Sequence, residues 1–309
     1  MSCKVIITQD HNGRRLDRTI RSIWPALPLS AVMRALRKGE VRLDAVRAKD
    51  GGLRVSRGQE LYVPWEEPDA PAPRGRGGPL AIVWRGEHAV VINKPANLLV
   101  QPDVKGGDSV VTRIWGMFGV GGPGFSPAAV HRLDRNTTGA LVVALSGEAL
   151  RGLERLFKER LVTKRYLAVV VGALPEKGFI DAPLLKEELT VRVGEGKTAQ
   201  TRYRRLSTDG QFSLASLELL TGRTHQARVH MAHIGCPILG DRKYGNIEIN
   251  RRHRAEARRP LLHAYELGFP GGWELPETLL ELRGKTFRAE LPQDMAALLN
   301  ERGWSGQVQ

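Results

Sequence analysis

The chain contains one carboxylate in a polar segment that leads directly into an apolar stretch. This segment, His-Arg-Leu-Asp-Arg-Asn-Thr-Thr-Gly at 131–139, places Asp134 just before the apolar run 140–145. We therefore expect Asp134 on a loop at the edge of a β-strand, where a rigid sheet commonly presents catalytic groups. An Asp beside Arg135 is by itself most often a structural ion pair, so this segment alone does not establish chemistry.

Two further side chains could take part in catalysis. Tyr166 begins an apolar stretch, and a tyrosine in a strand is usually part of the core, so its position alone favours a structural role. Arg223 lies in the polar segment 220–230, and its planar guanidinium is suited to bind either a carboxylate or a phosphate. Residue type alone does not decide between these two roles.

The string HRLDxxTxG at 131–139 resembles the active-site motif of the RluA family of pseudouridine synthases, enzymes that isomerise uridines in RNA. Further segments agree with this family in the same order along the chain. They read NKPANLLV at 93–100, KRYLA at 164–168, LTGRTHQARVH at 220–230, GCPILGD at 235–241, YG at 244–245 and LHA at 262–264.

The resemblance implies a role for each matching side chain. Asp134 would be the catalytic carboxylate, Tyr166 the active-site tyrosine that stacks on the uracil, and Arg223 the cation that keeps Asp134 ionised. Arg132 would fill the gap that is left when the target uridine is swung out of the folded RNA. The other matching residues expected to contact RNA are His131, Lys94 and Gln226.

The reaction of this family explains why a carboxylate is needed. The bond between ribose C1′ and base N1 must break, the uracil must turn while it stays bound, and C5 must then join C1′. A carboxylate could trap or stabilise the electron-poor C1′, as in glycoside hydrolysis, or remove a ribose proton to give a glycal-like intermediate. The residues leave both routes open, and no cofactor is implied.

A few positions depart from the family pattern. Asn97 replaces the usual Gly, Gln101 the usual His, Asn136 an Asp, Thr138 a Ser, and Ala227 a larger aliphatic residue. None of these changes removes the aspartate, the tyrosine or the arginine. They therefore bear on the choice of RNA target more than on activity.

The first 65 residues carry half of the chain's net charge. They contain 13 Lys and Arg against 6 Asp and Glu, a difference of +7 out of +14 for the whole chain. Leu16, Ile20 and Ile23 recur at helical spacing, which predicts a first helix. A second helix is predicted from an N-cap at Ser30 to a stop at Gly39.

Arg34, Arg37 and Lys38 would face solvent on this second helix, and short strands are predicted at 40–43 and 60–63. Residues 14–65 also resemble the S4-type RNA-binding domain that precedes the catalytic domain in family members acting on large-subunit ribosomal RNA. We therefore expect a small α/β RNA-binding domain over residues 1–65, with these three cations in contact with RNA.

The rest of the chain divides into a linker, one large domain and a tail. Residues 66–79 are rich in Pro, Gly and charge, a composition that cannot bury a core and predicts a flexible linker. Region 80–300 is predicted to be one α/β catalytic domain, by resemblance with a mixed, largely antiparallel sheet, and 301–309 a tail. The predicted strands are 81–84, 89–92, 139–144, 166–171 and 212–219, and the predicted helices are 109–118 and 148–159.

The global composition narrows the class of protein. The 309-residue chain has a formal charge of +14 and a pI near 10.2, which favours a polyanionic partner such as RNA. The longest apolar run, near 167–174, is far shorter than the roughly 18 residues of a membrane-spanning helix, so no membrane partner is expected. Two cysteines and the lack of a secretory signal pattern predict a location in the reducing cytoplasm.

Two other chemical interpretations are disfavoured. His225, His230 and His233 spread over more than one face of a helix, and neither an HExxH string nor paired cysteines accompany them, so no metal is expected. The glycine-rich segment 119–124 lacks the Gly-Lys-Ser/Thr ending of a phosphate-binding loop and is expected to be a mobile loop.

The sequence therefore predicts a monomeric RNA pseudouridine synthase that modifies uridines of large-subunit ribosomal RNA, either free or in a pre-ribosomal particle. Related catalytic domains also act on transfer RNA, which is one alternative substrate. A non-catalytic RNA-binding or ribosome-assembly protein is another alternative, because the basic N-terminal region alone would fit it. The joint presence of Asp134, Tyr166 and Arg223 argues against this last interpretation.

Overall fold

The computed structural model describes residues 3–24, 27–66, 77–103, 107–118, 125–188, 190–272 and 275–308. The glycine-rich segment 119–124 and most of the predicted linker, residues 67–76, lie outside this part of the chain. The described residues fold around an N-terminal four-stranded sheet and a second, ten-stranded sheet.

The N-terminal unit is a small antiparallel sheet packed against two helices. Its strands are β1 (Cys3–Ile6), β2 (Arg42–Leu43), β3 (Val46–Arg47) and β4 (Glu60–Val63), and its helices are α1 (Leu16–Ile23) and α2 (Leu29–Lys38). The strands lie in the order β1-β4-β2-β3. Leu16, Ile20 and Leu36 are fully buried in the core of this unit, which explains the helical spacing of apolar residues in α1.

Helix α2 ends as the sequence predicts but begins differently. Gly39 stops it in the left-handed conformation, with a φ of +69° that glycine adopts without Cβ strain. The predicted N-cap is wrong, because Pro28 holds that position and Ser30 lies inside the first turn. Proline suits a helix start, since its φ is already near the helical value and the N–H that it lacks would have no partner there.

The second unit is built on a mixed, largely antiparallel sheet, which confirms the predicted fold class. Its strands are β5 (Ala81–Arg85), β6 (Ala89–Lys94), β7 (Ala128–Ala129), β8 (Thr138–Ala144), β9 (Thr163–Val171), β10 (Lys177–Asp181), β11 (Leu184–Glu187), β12 (Thr190–Val193), β13 (Gln200–Thr208), β14 (Phe212–Leu219), β15 (Leu262–Gly268) and β16 (Thr286–Arg288). Within the described residues the sheet order is β10-β13-β14-β9-β15-β8-β6-β5, with β7 added to β8 and β16 to β15. Strands β8 and β15 are parallel, and β11 and β12 form a separate hairpin.

Helices pack on both faces of this sheet. They are α3 (Val110–Phe118), α4 (Gly147–Lys158), α5 (Gln226–His233), α6 (Ile247–Arg252) and α7 (Gln293–Glu301), and short 3-10 helices occur at Gln9–His11, Glu277–Leu282 and Ser305–Gln307. Helices α3 and α5 contribute to the core on one face. Helices α4 and α7 contribute to the cores on the other face.

Strand β9 shows how the sheet sorts its side chains. Tyr166, Ala168 and Val170 belong to the core that includes α5, whereas Leu167 and Val169 belong to the core that includes α7. Successive side chains of a strand point to opposite faces, and here both faces are covered, so the strand is a continuous apolar run. Tyr166 consequently shares its face of the sheet with α5.

The two units touch at the N-terminus of α4. The carboxylate of Asp10 accepts a hydrogen bond from the backbone N–H of Gly147, the first residue of that helix. The side chain of Gln9 donates to Glu148 at 3.3 Å, and Arg151 donates to the backbone carbonyl of Asp10 at 3.3 Å. The first N–H groups of a helix have no partner within it, so Asp10 caps α4 from the other unit.

All five predicted strands and both predicted helices of the second unit are present, with ends that differ by at most three residues. Strands β7, β10 to β13, β15 and β16 and helices α5 to α7 were not predicted from the sequence. Among the described helices, none combines the length and the apolar composition that crossing a bilayer requires.

Candidate active site

Asp134 lies on the loop between β7 and β8, in agreement with its position before an apolar strand. A turn in which Thr137 N donates to Asp134 O at 3.1 Å closes this loop. Strand β8 then continues into the buried centre of the sheet, between β6 and β15. The rigid sheet therefore holds the carboxylate at its end, with 22% of the side chain exposed.

Arg228 is the cation that contacts Asp134. Its Nη1 donates to Asp134 Oδ2 at 3.2 Å, while Nε and Nη2 donate to the two oxygens of Asp241 at 2.7 and 2.8 Å. Burial by itself would raise the pKa of Asp241, but Arg228 and the backbone N–H groups of Lys243 and Tyr244 keep that pKa below its usual value. Asp241 is therefore an ionised anchor that fixes Arg228 and leaves one of its arms for Asp134.

Arg223 does not occupy the position predicted for it. It lies in the turn before α5, where its Nε donates to the carbonyl of Thr198 at 3.0 Å, whereas Arg228 lies within α5. Both arginines belong to the matching segment 220–230, and the spacing does not show which of them the helix directs to the carboxylate. The predicted pairing of Asp134 with Arg223 is therefore wrong, and Arg228 takes that place.

His225 and Tyr244 form a second layer beside Asp134. His225 Nε2 lies 3.9 Å from Asp134 Oδ2, and its Nδ1 lies 2.8 Å from the Tyr244 hydroxyl. The Tyr244 oxygen also accepts a hydrogen bond from Val191 N at 3.2 Å, and it can donate its own hydrogen to Nδ1 when the imidazole carries its proton on Nε2, the nitrogen that lies near Asp134. Burial lowers the pKa of His225 more than the charge of Asp134 raises it, which favours this neutral form.

Tyr166 is a buried phenol on the same face of the sheet as α5. It pairs in register with Leu217 of β14 and Ala264 of β15, and 7% of its surface is exposed. Burial, and then the nearby charge of Asp134, raise the pKa of Tyr166 above its usual value. The side chain is therefore uncharged at neutral pH and is suited to stacking against a base.

Lys94 is an internal residue rather than an RNA contact. It is fully buried, and its Nζ donates to the carbonyl oxygens of Pro95, Leu98 and Arg135 at 2.8, 2.8 and 3.0 Å. Burial, opposed by the charge of Asp134, lowers the pKa of Lys94 to about 7. The predicted contact with RNA is wrong, because a side chain closed off from solvent joins two loops beneath Asp134.

Two other residues that the sequence assigned to RNA have internal roles. Gln226 is buried, and its amide is fully used in hydrogen bonds to Thr221 Oγ1, Arg223 N, Gln200 O and Thr201 Oγ1. His131 stacks on Phe157 at 4.6 Å and accepts a hydrogen bond from Val142 N. Burial, with a smaller effect of Lys164, lowers the pKa of His131 to about 3, so its ring is neutral. The predicted RNA contact of Gln226 is wrong because its side chain is closed off from solvent, whereas His131 is half-buried and its contact with RNA stays a prediction.

Arg132 keeps the position expected of a residue that contacts RNA, because it is exposed on the loop two residues before Asp134.

The histidines considered as metal ligands make other contacts in the fold. His230, for example, is buried and bonds Thr201 Oγ1 and the carbonyl of Ala182. Among the described residues, no group of three His, Cys, Asp or Glu side chains is arranged to hold a metal ion.

Asp134, His225 and Arg228 border a basic cavity of about 410 Å³, whereas Tyr166 is not part of its described lining. Its lining consists of Asp134, Arg135, Asn136, Thr137, His225, Arg228, Gly240, Arg242, Lys243, Arg258, Arg259 and Pro260. The volume falls in the range of about 300–1,000 Å³ that is usual for small-molecule sites. One carboxylate among several cations suits a ligand that combines a reactive sugar with a negatively charged phosphate.

Comparison with known proteins identifies the same chemistry. Residues 88–233 match the family described as RNA pseudouridylate synthase. The chain is 33% identical to ribosomal large subunit pseudouridine synthase D of Zymomonas mobilis over 96% of each chain. It is 35% identical to ribosomal large subunit pseudouridine synthase C of Escherichia coli, over 94% of this chain and 92% of that protein.

Solved structures agree with these relatives. Human RNA pseudouridylate synthase domain containing 4 has a TM-score of 0.56 and 26% identity, over 71% of this chain and 92% of that one. Human RNA pseudouridylate synthase domain containing 1 has a TM-score of 0.52 and 29% identity, over 72% and 94% respectively. The resemblance carried by the sequence motifs is confirmed, and the chain belongs to the RluA family of RNA pseudouridine synthases.

Proposed function

We propose that this pseudouridine synthase modifies uridines of large-subunit ribosomal RNA and uses Asp134 as its catalytic carboxylate. The observation that carries the catalytic part is the placement of Asp134 in a basic cavity, where Arg228 holds it and Asp241 holds Arg228. The names of the relatives with which the chain aligns almost end to end support the ribosomal target.

In the proposed mechanism, Asp134 acts on the sugar while the uracil stays bound. The carboxylate either bonds to C1′ as the bond to N1 breaks, or removes a ribose proton to give a glycal-like intermediate. The uracil then turns and C5 joins C1′ as the bond from C1′ to the carboxylate breaks in the first route, or as the carboxylate returns the proton to the ribose in the second. The proton on C5 is then released. The hydrogen bond from Arg228 fixes the direction of the Asp134 carboxylate, which both routes need.

Tyr166 and Arg132 have supporting roles in this proposal. Tyr166, as a neutral and buried phenol, offers a face on which the uracil can stack while it turns. Arg132 is exposed two residues before Asp134 and would fill the gap that the flipped uridine leaves in the RNA. His225 adds an uncharged N–H donor near Asp134.

The N-terminal unit supplies a second RNA surface in this proposal. Arg34, Arg37 and Lys38 are exposed along α2, as the sequence predicts. They stand on the side of the helix away from the buried Val32 and Leu36, where phosphate groups can reach them. The division into an S4-type domain over 1–65 and a catalytic domain over 80–300 remains part of the proposal.

We also expect the enzyme to be a monomer and to act on ribosomal RNA in the cytoplasm. Light scattering of the purified protein measures its mass in solution. A mass of two chains at working concentration would contradict the first expectation.

The decisive experiment incubates the full-length enzyme with transcripts of large-subunit ribosomal RNA and, separately, of transfer RNA. Pseudouridines are mapped by carbodiimide modification followed by reverse transcription. We expect new pseudouridines in the ribosomal transcript. Modification of transfer RNA alone would contradict the ribosomal target but not the enzymatic activity.

Asp134→Asn tests the catalytic assignment in the same assay. Asn keeps the size and hydrogen-bonding shape of Asp134 but removes its charge, so the rate should fall by at least about 10³-fold, within the range for loss of a catalytic acid or base. RNA affinity should largely persist. An active Asn variant would disprove the assignment.

A further inference from the structure

Three neighbouring cavities near Asp134 have arginine residues in common in their linings. The catalytic cavity, of about 410 Å³, is bounded on one side by Arg242 and Arg258. These two residues also line a second cavity, of about 500 Å³, together with Arg254. Arg242 and Arg254 line a third cavity, of about 320 Å³. All three cavities share Arg242, so they adjoin one another along segment 242–258.

This segment carries an excess of positive charge that the protein does not neutralise. It contains six Lys and Arg against two acidic residues. Arg242, Arg254 and Arg258 are exposed, and within the described part of the chain their side chains form no hydrogen bond or ion pair with the protein. The lining of the second and third cavities, as far as it is described, includes no acidic residue. Such a concentration of cations favours a bound polyanion.

The frame that carries these arginines is fastened to the catalytic loop. The Asn250 side chain donates to the carbonyl of Asp241 at 2.9 Å, next to the anchor of Arg228. Arg259 holds both oxygens of Asp294 at 2.7 and 2.8 Å and donates to the carbonyl of Asn136 at 3.2 Å. A ligand bound along the segment would meet a preorganised surface, which reduces the entropy cost of binding.

We propose that the channel lined by Arg242, Arg254 and Arg258 binds the sugar–phosphate backbone of the RNA strand next to the target uridine. The inference rests on the proposed function, because it takes RNA as the substrate. A uridine flipped into the catalytic cavity places its flanking phosphates at the mouth of that cavity, where the channel begins. Guanidinium groups bind phosphate oxygens in pairs, so each free arginine suits one phosphate.

The channel differs from the catalytic cavity in what it recognises. Its cations contact phosphates, which fixes the position of the strand but does not distinguish one base from another. Ile247 is 72% exposed in the third cavity and offers an apolar contact to a sugar or base. We therefore expect the channel to contribute affinity and salt dependence rather than selection of a base.

The test compares the variants R254A/R258A and K158A/K186A of the full-length protein. Each variant removes two positive charges, but Lys158 and Lys186 are exposed residues that line none of the three cavities. Binding of a fluorescein-labelled oligouridylate is measured across a salt series. In R254A/R258A the slope of log Kd against log salt should fall by about 1.4, or about 0.7 for each phosphate that is no longer bound. In K158A/K186A it should match the unaltered protein.

A third variant, R254K/R258K, should keep most of the slope because the charges remain. An unchanged slope in R254A/R258A would overturn the proposal, since no phosphate would then be held there. An equal fall in K158A/K186A would also overturn it, because net charge alone would then explain the effect. Mapping pseudouridines with the same preparations separates the two proposals: modification of transfer RNA alone would refute the ribosomal target and leave the channel standing.

Discussion

At the scale of single residues, the position of Asp134 depends on an arginine that a second carboxylate holds in place. Arg228 reaches Asp134 and Asp241 at once because three of its nitrogens lie in one rigid plane. A lysine would keep the charge but could not maintain this geometry. The side chain is therefore needed for its shape as well as its charge.

Arg228→Lys and Arg223→Lys form a matched pair that tests this requirement. Arg228→Lys should lower the single-turnover rate at saturating RNA by about 10²-fold, the cost of a small displacement of a catalytic group. Arg223→Lys gives up one hydrogen bond to Thr198, worth about 1 kcal/mol, and should stay close to the normal rate. The opposite order of rates would return Arg223 to the role first expected of it.

Lys94 predicts a pH dependence of stability. Its pKa in the folded protein is about 7, against an ordinary value of 10.5. Between these values the unfolded chain binds the proton and the folded chain does not, so the free energy of unfolding contributed by Lys94 rises with pH. Urea denaturation of the normal protein and Lys94→Met at neutral and alkaline pH measures this contribution.

The stability difference between the normal protein and Lys94→Met should therefore grow as the pH is raised from about 7 towards 10.5. The variant should also be less stable by at least about 1–3 kcal/mol, because it leaves buried carbonyl oxygens without a donor. A difference that does not change with pH would mean that Lys94 keeps its proton throughout this range.

The sequence identified the type of site but not every role within it. Asp134 could be found because a distinctive motif surrounds it and an apolar strand follows it. Lys94 and Gln226 look like RNA contacts, since Lys and Gln are usually exposed, and only the structure places backbone acceptors around them. Tyr244 could not be found from spacing, because its contact with His225 joins two parts of the chain only in the fold.

At the scale of elements, the site depends on the parallel pairing of β8 with β15. Gly139 of β8 lies opposite Ala264 and has a φ of +116°. A Cβ at this position would collide with the backbone nitrogen and oxygen of Ala264. The glycine therefore allows two strands to approach closely just after the catalytic loop. The pairing of these strands fixes the end of the loop that contains Asp134.

Gly139→Ala and Gly210→Ala separate this close approach from backbone strain. Both glycines have positive φ, but nothing lies within 4 Å of a Cβ built on Gly210. Gly210→Ala should cost about 1–2 kcal/mol for the left-handed backbone. Gly139→Ala should cost about 1–3 kcal/mol more because of overpacking, and it should also slow catalysis. Equal decreases in stability on urea denaturation would show that the contact with Ala264 adds nothing.

Elements with two buried faces were the ones that the sequence could predict. Strands β8 and β9 contain continuous apolar runs because helices cover the sheet on both sides. Strand β13 was missed because the exposed Arg202 and Arg204 alternate with the buried Thr201 and Tyr203, so a basic composition conceals the alternation. The hairpin of β11 and β12 is short and polar, and it gave no clear signal.

At the scale of the whole molecule, the two units are joined by more than the linker. The turn at Gln9–His11 lies against the start of α4, and Asp10 caps that helix. The composition of 66–79 predicts a freely moving N-terminal unit, but these contacts hold the unit against the catalytic one. They could not be foreseen, because Asp10 and Gly147 are far apart in the sequence.

Deletion of residues 1–70 tests the contribution of the N-terminal unit to RNA binding. Affinity should fall, and the salt slope should drop by about 0.7–0.9 for each phosphate that the shortened protein no longer binds. Turnover at saturating RNA should fall much less, because Asp134, Tyr166 and Arg228 all lie outside the deleted part. The catalytic unit should also become less stable by about 1 kcal/mol, because the backbone N–H of Gly147 at the start of α4 loses Asp10 as its acceptor, while Ser146 still caps the helix.

R34A/R37A/K38A in the full-length chain is the control for this deletion. It removes the exposed cations of α2 and leaves the contact of Asp10 with α4 intact. If α2 is the RNA surface, this variant should reproduce the smaller salt slope without the decrease in stability. An unchanged slope in both proteins would mean that the N-terminal charge serves solubility alone.

The contact between Asp10 and α4 also bears on which uridines the enzyme can reach. An RNA-binding unit on a flexible linker could bind at many distances from the active site. A unit that is fixed to the catalytic unit binds at one distance from it. The distance between the exposed cations of α2 and the cavity beside Asp134 is then constant. With α2 as the proposed RNA surface, we expect the enzyme to modify a uridine that the folded RNA holds at this distance from α2, so that the shape of the RNA selects the target together with its bases.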